Sequence, residues 1–391
     1  MLFEVENGFC TIESISTRFV FSSRLTGPPG ISFICRAVDA FGDVGNKCAV
    51  PLWGVFSIRS TRKKTNIIMA FWTIPCAEPV IYPGMLHPHF DQARAGAAHV
   101  IRLGDKYRMA YWGSAGGLNY ILQAETAVDE PNGWISVGTA LIGPQGDTSH
   151  NCKGPGFPFL LPLTADHWLL YFTGWGRQVD GKLPNTTGVA VSNDAGQSWD
   201  YHWEHPVIPL DKSYDAEGTG SLWIVRENGL LRMYYTAIGK YGPRPEGVET
   251  GHGDTIPQIG IAYAESRDGL HWEKPVEKLL VAPRGFGVDP FEYICSKPCV
   301  IREENGYIMW VNTFGTAYRV HRLVSKDGLN WQWAERSGPD GELGTGNTGA
   351  FDDHQRSYPS IVSSDGEWHC WFTGNGFGNT GMGYAASLPT N

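Results

Sequence analysis

The 391-residue chain is 42% hydrophobic and 13% aromatic, which is enough apolar content to bury a large core. Its formal net charge of -9 argues against a nucleic-acid partner or an anionic membrane surface, because both need a basic face. A neutral or polar small molecule is a better match. With 49 Gly and 25 Pro, the sequence favours tight turns over long helices, so we expect an all-β fold.

The N-terminal part differs from the rest of the chain. Met1–Asn7 lacks a basic stretch followed by an apolar one, and no stretch of about 18 apolar residues occurs, so we expect a soluble, cytoplasmic protein. We expect residues 1–75 to form an atypical N-terminal extension, either a small β element or a poorly ordered segment. Residues 76–391 are expected to form one separate domain.

One hairpin motif recurs at intervals of about 60–70 residues, which is typical of a repeat protein. Its copies are Ser192–Trp199, Ser266–Trp272 and Ser325–Trp331. Each copy has an Asp-Gly or Asp-x-Gly turn that reverses a β-hairpin, followed by a Trp that can anchor the outer strand. An aromatic strand precedes each copy. The repeat therefore predicts a four-stranded antiparallel sheet, the blade of a β-propeller.

Counting these repeats along the chain gives a five-bladed β-propeller. The blades are expected to begin near Ile81, Gly146, Tyr214, Asp289 and Phe351. The fifth blade ends one strand short, and Asn66–Trp72 is a candidate strand to complete it. The insertion Lys240–Ile256 is rich in Gly, Pro and charge, so we expect a surface loop.

Acidic residues precede the inner strand of every expected blade. They are Asp91, Asp147, Asp215 with Glu217, Asp289 with Glu292, and Asp352 with Asp353. Inner strands of a propeller surround a central channel, so these acids are expected to meet at one mouth and to perturb one another's ionisation. The alternative is that several of them are ordinary turn residues.

The five repeats, the hairpin motif and the sequence Ala216-Glu217-Gly218-Thr219-Gly220 resemble the five-bladed glycoside hydrolase superfamily, which includes families 43, 32 and 130. The resemblance covers residues 81–391. It implies cleavage of a glycosidic bond in an oligosaccharide or glycoside, with inversion of configuration. It implies Asp91 as general base, Asp147 as an orienting acid and Glu217 as general acid.

Family signatures are incomplete, which is typical of a distant or unassigned member. Asp91 is followed by Gln92 and not by Pro, and Gly218 is followed by Thr219. The Glu-Asp-Pro-Arg signature of family 130 is missing. The chemistry still requires one protonated carboxyl for the leaving oxygen and one ionised carboxyl to activate water.

Further polar residues near the same mouth are expected to bind substrate. They are His89, Arg94, His150, Asp215, Glu292, Asp353, His354 and Arg356. Such groups could hydrogen-bond sugar hydroxyls or bind phosphate, and together with the acids they could hold a divalent ion in the channel. No resident cofactor or metal is otherwise expected. For any single histidine the alternative is an ordinary hydrogen-bonded loop or core residue.

Aromatic residues at the rim, such as Trp175, Tyr241 and Phe314, could stack on sugar faces. Three other functions stay open: a glycoside phosphorylase, a non-catalytic glycan-binding propeller and a sialidase-like enzyme. The last would need six blades and an arginine triad. The oligomeric state is left open.

Overall fold

A computed structural model describes residues 72–387 apart from 147–149, 177–184, 202–205, 250–252 and 335–339, together with four strands within residues 2–35. The chain divides into two compact units, Met1–Ala70 and Phe71–Asn391. The strands of the first unit pair antiparallel in chain order: β1 (Leu2–Glu6), β2 (Phe9–Ser14), β3 (Thr17–Ser23) and β4 (Phe33–Cys35).

In the second unit the described strands form consecutive antiparallel meanders. The first meander contains β5 (Arg94–Leu103), β6 (Lys106–Ala115), β7 (Leu118–Ala127) and β8 (Ile135–Ser136). The second contains β9 (Pro155–Pro162), β10 (Trp168–Trp175), β11 (Asn185–Ser192) and β12 (Asp200–Tyr201). The third contains β13 (Gly218–Glu227), β14 (Leu230–Pro243) and β15 (Thr255–Ser266).

A two-stranded hairpin of β16 (Gly285–Phe286) and β17 (Phe291–Glu292) precedes the fourth meander. The fourth meander contains β18 (Ile294–Glu303), β19 (Gly306–Phe314), β20 (Tyr318–Ser325) and β21 (Gln332–Trp333). The fifth contains β22 (Ser357–Ser364), β23 (Glu367–Thr373) and β24 (Met382–Ser387), with the four-residue helix α1 (Asn375–Gly378) between its last two strands. The expected all-β class is confirmed.

The first strands of the five meanders contact one another in a cyclic order. β5 contacts β9, β9 contacts β13, β13 contacts β18, β18 contacts β22, and β22 contacts β5. At the chain ends, Thr73 exchanges backbone hydrogen bonds of 2.7 and 2.8 Å with Ala386 of β24. A residue from the start of the unit therefore pairs with its last strand. Residues 66–71 of the candidate closing strand lie outside the described residues.

The recurring hairpin motif packs against the neighbouring meander. Gly269 and Gly328 have positive φ angles of 81° and 74°, which glycine adopts without strain. A Cβ atom at Gly269 would lie 2.9 Å from the Tyr171 hydroxyl, and one at Gly328 would lie 2.6 Å from the Tyr234 hydroxyl. Each glycine thus lets a hairpin lie against the second strand of the preceding meander.

The expected surface loop Lys240–Ile256 is partly a strand, which corrects that prediction. After a register shift, pairing between β14 and β15 continues from Tyr241 with Pro257 to Pro243 with Thr255. Ile256 is buried in a cluster with Tyr293 and Ile294, so burial of its side chain favours the extended hairpin. Among the residues that the structure describes, no helix is long and apolar enough to cross a membrane.

Candidate functional site

A cavity of about 610 Å³ lies where the first strands of the meanders approach one another. Every first strand contributes to its wall, through Arg94, Phe157, Gly220, Ser296 and Tyr358. Its volume lies within the range of about 300–1,000 Å³ that is typical of small-molecule sites. This cavity is therefore the candidate functional site.

A β-bulge interrupts each first strand beside the cavity. The pairing with the second strand shifts register between Gly96 and His99 in β5, and corresponding shifts occur in β9, β13, β18 and β22. Four bulges hold a non-glycine residue at positive φ: Ala97 (47°), Phe157 (49°), Lys297 (40°) and Tyr358 (54°). Bulges change the direction of side chains, and two of these four residues, Phe157 and Tyr358, line the cavity.

Aromatic side chains form much of the cavity wall. The rings of Trp112 and Trp175 lie 4.9 Å apart, and that of Phe157 lies 5.4 Å from Trp112 and 5.1 Å from Tyr358. Tyr318 extends this wall, with its ring centroid 5.5 Å from that of Tyr358. Rigid aromatic faces can stack on flat, apolar faces of a ligand at a small cost in side-chain entropy.

Unpartnered polar atoms accompany these rings. Thr173 Oγ1, Asn185 Oδ1 and Arg94 Nε are buried atoms of cavity-lining residues without a hydrogen-bond partner in the described part of the chain. Leaving a buried polar group unpaired costs about 1–3 kcal/mol, so a ligand that bonds to these atoms would offset that cost. The polar atoms therefore favour a ligand with several hydrogen-bonding groups.

Arg94 is a charged residue of the cavity wall whose side chain contacts both an aromatic ring and an amide. Its Cζ lies 4.3 Å from the ring centroid of Trp112, and its Nη2 donates a 3.2 Å hydrogen bond to Asn379 Oδ1. Burial lowers the pKa of this guanidinium. A second cation, the exposed Lys153, also lines the cavity.

The described residues that line the cavity include no Asp or Glu. The acids were expected to meet at one mouth of a channel, whereas Asp91 is fully buried within its own meander. Its carboxylate accepts hydrogen bonds from the Tyr111 hydroxyl at 2.8 Å and from the backbone N–H groups of Gly84 at 3.2 Å and His87 at 3.3 Å.

Asp215 has an equivalent arrangement in the third meander. It accepts a 2.8 Å bond from the Tyr235 hydroxyl, a 3.0 Å bond from the backbone N–H of Lys212 and a 2.6 Å bond from the Lys274 ammonium. In both meanders the acid links the turn before the first strand to the second strand. Both acids thus act as turn residues, which was the alternative to a role at the mouth of the channel.

The acids of the fourth and fifth meanders also have local partners. Glu292 is buried and accepts hydrogen bonds from the guanidinium of Arg284, the shortest at 2.5 Å. Asp353 accepts a 2.7 Å bond from the backbone N–H of Gly349, which is the main cause of its lowered pKa. Arg356 donates a 2.6 Å bond to Asp352. None of these residues lines the cavity.

The candidate histidines also lie apart from the cavity wall. His89 and His354 are exposed, and His354 Nε2 lies 3.5 Å from Asp353 Oδ1. His150 Nδ1 lies 2.8 Å from Thr186 Oγ1, and the imidazole stacks on Phe172. No cluster of three or more His, Cys, Asp or Glu that could hold a metal ion occurs among the described residues.

Glu217 is connected to the cavity wall through its backbone. Its N–H donates a 2.9 Å hydrogen bond to the carbonyl of Ile238, which lines the cavity. The next residue, Gly218, pairs with Asn185, another wall residue. Glu217 as a whole residue is half-buried. Asp147 lies outside the described residues.

Two of the wall residues, Arg94 and Trp175, were predicted from the sequence as ligand contacts. Trp112, Phe157 and Tyr358 also line the wall and were not predicted. A signal for the last two was present, because Phe157 and Tyr358 each precede a Pro within a first strand. Proline inside a strand marks a bulge or an edge. The sequence does not show which residue of such a bulge faces the cavity.

The fold is shared with solved structures described as glycoside hydrolases. A glycosyl hydrolase from Bacteroides ovatus superposes with a TM-score of 0.59 at 14% identity, covering 88% of this chain and 96% of that chain. A structure described under the GH130 family of mannoside phosphorylases, which contains glycoside hydrolases, gives a TM-score of 0.57 at 14% identity and covers 88% and 98%. A thermostable family-43 glycoside hydrolase gives 0.52 at 14% identity and covers 79% and 91%.

Two relatives are similar in sequence as well. "Uncharacterized protein MT1551" of Mycobacterium tuberculosis (strain CDC 1551 / Oshkosh) is 33% identical over 221 residues, which is 56% of this chain and 67% of the relative. "Uncharacterized protein Rv1502" of strain ATCC 25618 / H37Rv is 32% identical over 221 residues, with the same coverage. The chain belongs to the family of these two mycobacterial proteins. No family model matches the chain.

Proposed function

We propose that this protein is a glycosidase-like enzyme that binds an oligosaccharide or glycoside in the aromatic cavity. The observation that carries the proposal is the composition of the wall. The indoles of Trp112 and Trp175 line the wall for apolar contact with a sugar ring, and Thr173 and Asn185 add unpartnered polar atoms to the same wall. The glycoside hydrolase fold supports the same class of ligand.

The proposed architecture is a closed five-bladed β-propeller, with the meanders as blades and the cavity at one mouth of the central channel. The cyclic contacts among the five first strands support closure. The pairing of Thr73 with Ala386 supports a fifth blade completed by the N-terminal side of the unit.

Glu217 is the proposed general acid. Its backbone bond to Ile238 connects it to the wall, and the resemblance to family 43 gives a Glu followed by Gly at this position the role of general acid. Asp91 is the proposed base that activates water, and Asp147 is the proposed orienting acid. The burial and three hydrogen bonds of Asp91 support a turn-anchoring role as well. Inversion would require a separation of about 6.5–9.5 Å between acid and base.

A second candidate function is glycan binding without cleavage. The observation that favours it is the lack of Asp and Glu among the described residues that line the cavity. Binding alone needs the aromatic faces and hydrogen-bonding groups, and it needs no pair of carboxyls at a fixed distance.

The test compares the wild type with Glu217→Gln, Asp147→Asn and Asp91→Asn on aryl glycosides and on arabino-, xylo-, fructo- and manno-oligosaccharides. Each substrate is assayed with and without phosphate, since phosphate-dependent cleavage would indicate a phosphorylase. Glu249→Gln is the control, because that side chain is 99% exposed. Binding is measured in parallel by calorimetry, and the anomer released is identified by NMR.

We expect Glu217→Gln to lower turnover by about 100-fold or more while sugar binding persists, as for loss of a general acid. Equal turnover in the wild type and Glu217→Gln would contradict the role of Glu217. Binding without turnover in the wild type would establish the second candidate. No binding to any sugar, whether neutral or acidic, would overturn the proposed function.

A further inference from the structure

We infer that the ligand of the cavity is a sugar that carries an oxyanion, either a carboxylate or a phosphate, and that Arg94 binds this group. The inference rests on the proposed function, because it names the substrate class of the same cavity. The acid group belongs to the sugar itself and is distinct from free phosphate as a second substrate.

The charges in the wall favour an anion. Arg94 and Lys153 both line the cavity, and no Asp or Glu does so among the described residues. The whole chain is acidic, with a formal net charge of -9, so two cations without an acidic residue among the described wall residues are a local feature. A concave site lined by one sign of charge attracts a ligand of the opposite sign.

Arg94 differs in its partners from three other arginines, Arg284, Arg356 and Arg232, which pair with carboxylates. Arg284 and Arg356 pair with carboxylates at 2.5 and 2.6 Å, and Arg232 pairs with Glu227 at 3.3 Å. Arg94 has only the neutral amide of Asn379 as a hydrogen-bond acceptor within the described part of the chain. Burying a charge without a partner is costly, and an anionic ligand would offset this cost.

The guanidinium of Arg94 lies beside the aromatic wall. Its Cζ is 4.3 Å from the ring centroid of Trp112, so an oxyanion bound by Arg94 would belong to a ligand that also contacts the indoles. Nε is buried and unpartnered. A carboxylate or phosphate can accept a charge-assisted hydrogen bond from the guanidinium while the sugar ring contacts the neighbouring aromatic wall.

Matched pairs of sugars test the inference. Glucuronic and galacturonic acids are compared with glucose and galactose, and glucose 6-phosphate is compared with glucose and with inorganic phosphate. Affinities are measured by calorimetry and ligand-observed NMR for the full-length wild type, Arg94→Gln, Arg94→Lys and Asn379→Ala. The midpoint of thermal unfolding verifies the folding of each variant. Asn379→Ala removes the neutral partner and keeps the guanidinium.

We expect at least one acidic sugar to bind about tenfold to a hundredfold more tightly than its neutral counterpart, as a charge-assisted pair would give. Arg94→Gln should remove this preference, Arg94→Lys should keep part of it, and Asn379→Ala should keep it. The preference should fall when NaCl rises from about 50 to 500 mM, since half-buried pairs are partly screened. Which acid binds distinguishes carboxylate from phosphate.

Equal binding of acidic and neutral sugars would overturn the inference and leave the proposed function intact. Inorganic phosphate that binds as tightly as glucose 6-phosphate would also overturn it, because the anion would then not belong to the sugar. An acid preference that persists in folded Arg94→Gln would contradict the role of Arg94. Failure of every sugar to bind would overturn the proposed function itself.

Discussion

The hydroxyl of Tyr111 donates a 2.8 Å hydrogen bond to the carboxylate of Asp91, and the Asp91 side chain is fully buried. A second pair with the same separation of 20 residues, Tyr235 and Asp215, repeats this bond at 2.8 Å. The repeated pair fixes the turn before a first strand to the second strand of the same meander. In these two meanders, the acids that resemble a ring of catalytic residues therefore also stabilise the repeat, because each one bonds to a tyrosine of its own meander.

Removal of the Tyr111 hydroxyl should therefore destabilise the protein. Among the described partners of its carboxylate, Tyr111→Phe leaves Asp91 the backbone N–H groups of Gly84 and His87, both at 3.2 Å or more. We expect a loss of about 1–3 kcal/mol in the free energy of unfolding, measured by urea denaturation. Tyr235→Phe should cost less, because Lys274 remains bonded to Asp215 at 2.6 Å.

Tyr82→Phe is the control, since Tyr82 is 53% exposed and should tolerate the change. Equal stability of Tyr111→Phe and Tyr82→Phe would show that the bond to Asp91 contributes nothing to the fold.

The hairpin glycines offer a test of how meanders contact one another. Gly269→Ala places a Cβ at a φ of 81°, 2.6 Å from Leu169 Cδ1 and 2.9 Å from the Tyr171 hydroxyl. We expect this variant to lose about 3 kcal/mol or more, through backbone strain and overpacking together. Gly229→Ala has a similar φ of 75° with nothing within 4 Å, so strain alone should cost about 1–2 kcal/mol.

Unfolding free energies of these two glycine variants give the comparison directly. If Gly269→Ala is no less stable than Gly229→Ala, the contact with Tyr171 does not limit the approach of the two meanders.

A buried histidine should make stability depend on pH. His321 is buried, and desolvation together with the positive charges of Arg284 and Arg319 lowers its pKa to about 4. An unfolded His has a pKa of about 6.5, so between pH 6.5 and 4 the unfolded chain binds more protons than the folded one. The stability that neutral His321 contributes is therefore complete above pH 6.5 and lost as pH falls to 4.

His321→Phe removes this titration. From pH 7 to pH 4, the wild type should lose on the order of 3 kcal/mol more of its unfolding free energy than the variant does. Urea unfolding of both proteins at pH 7, 5.5 and 4 measures the difference. Parallel losses in the two proteins would mean that His321 is not the group responsible.

The order of the strands could be predicted from the sequence, because the three hairpin copies and their aromatic strands recur at regular intervals. The repeated acids could be recognised as well, but the direction of their side chains could not be predicted. The direction of a side chain depends on strand register and on β-bulges. At Phe157 and Tyr358 the only sign of a bulge in the sequence is the Pro that follows each residue. Trp112 could not be distinguished from core tryptophans, since the chain has 15 Trp and most of them can serve packing.

The position of Trp175 can be tested without altering the tryptophan itself. A Cβ at Gly156 would lie 2.4 Å from the Trp175 ring and 3.3 Å from Trp112, so Gly156→Ala forces the Trp175 indole to move. Gly220→Ala is the matched control, because its Cβ would meet no atom closer than 3.6 Å although Gly220 also lines the cavity. If the paired indoles bind the sugar, Gly156→Ala should weaken glycoside affinity about tenfold, the loss of roughly one aromatic contact, while Gly220→Ala should change it little.

Calorimetry with the tightest-binding sugar of the panel measures both variants. Unchanged affinity in a folded Gly156→Ala protein would place the sugar away from Trp175, whereas equal losses in both variants would point to the β13 side of the cavity.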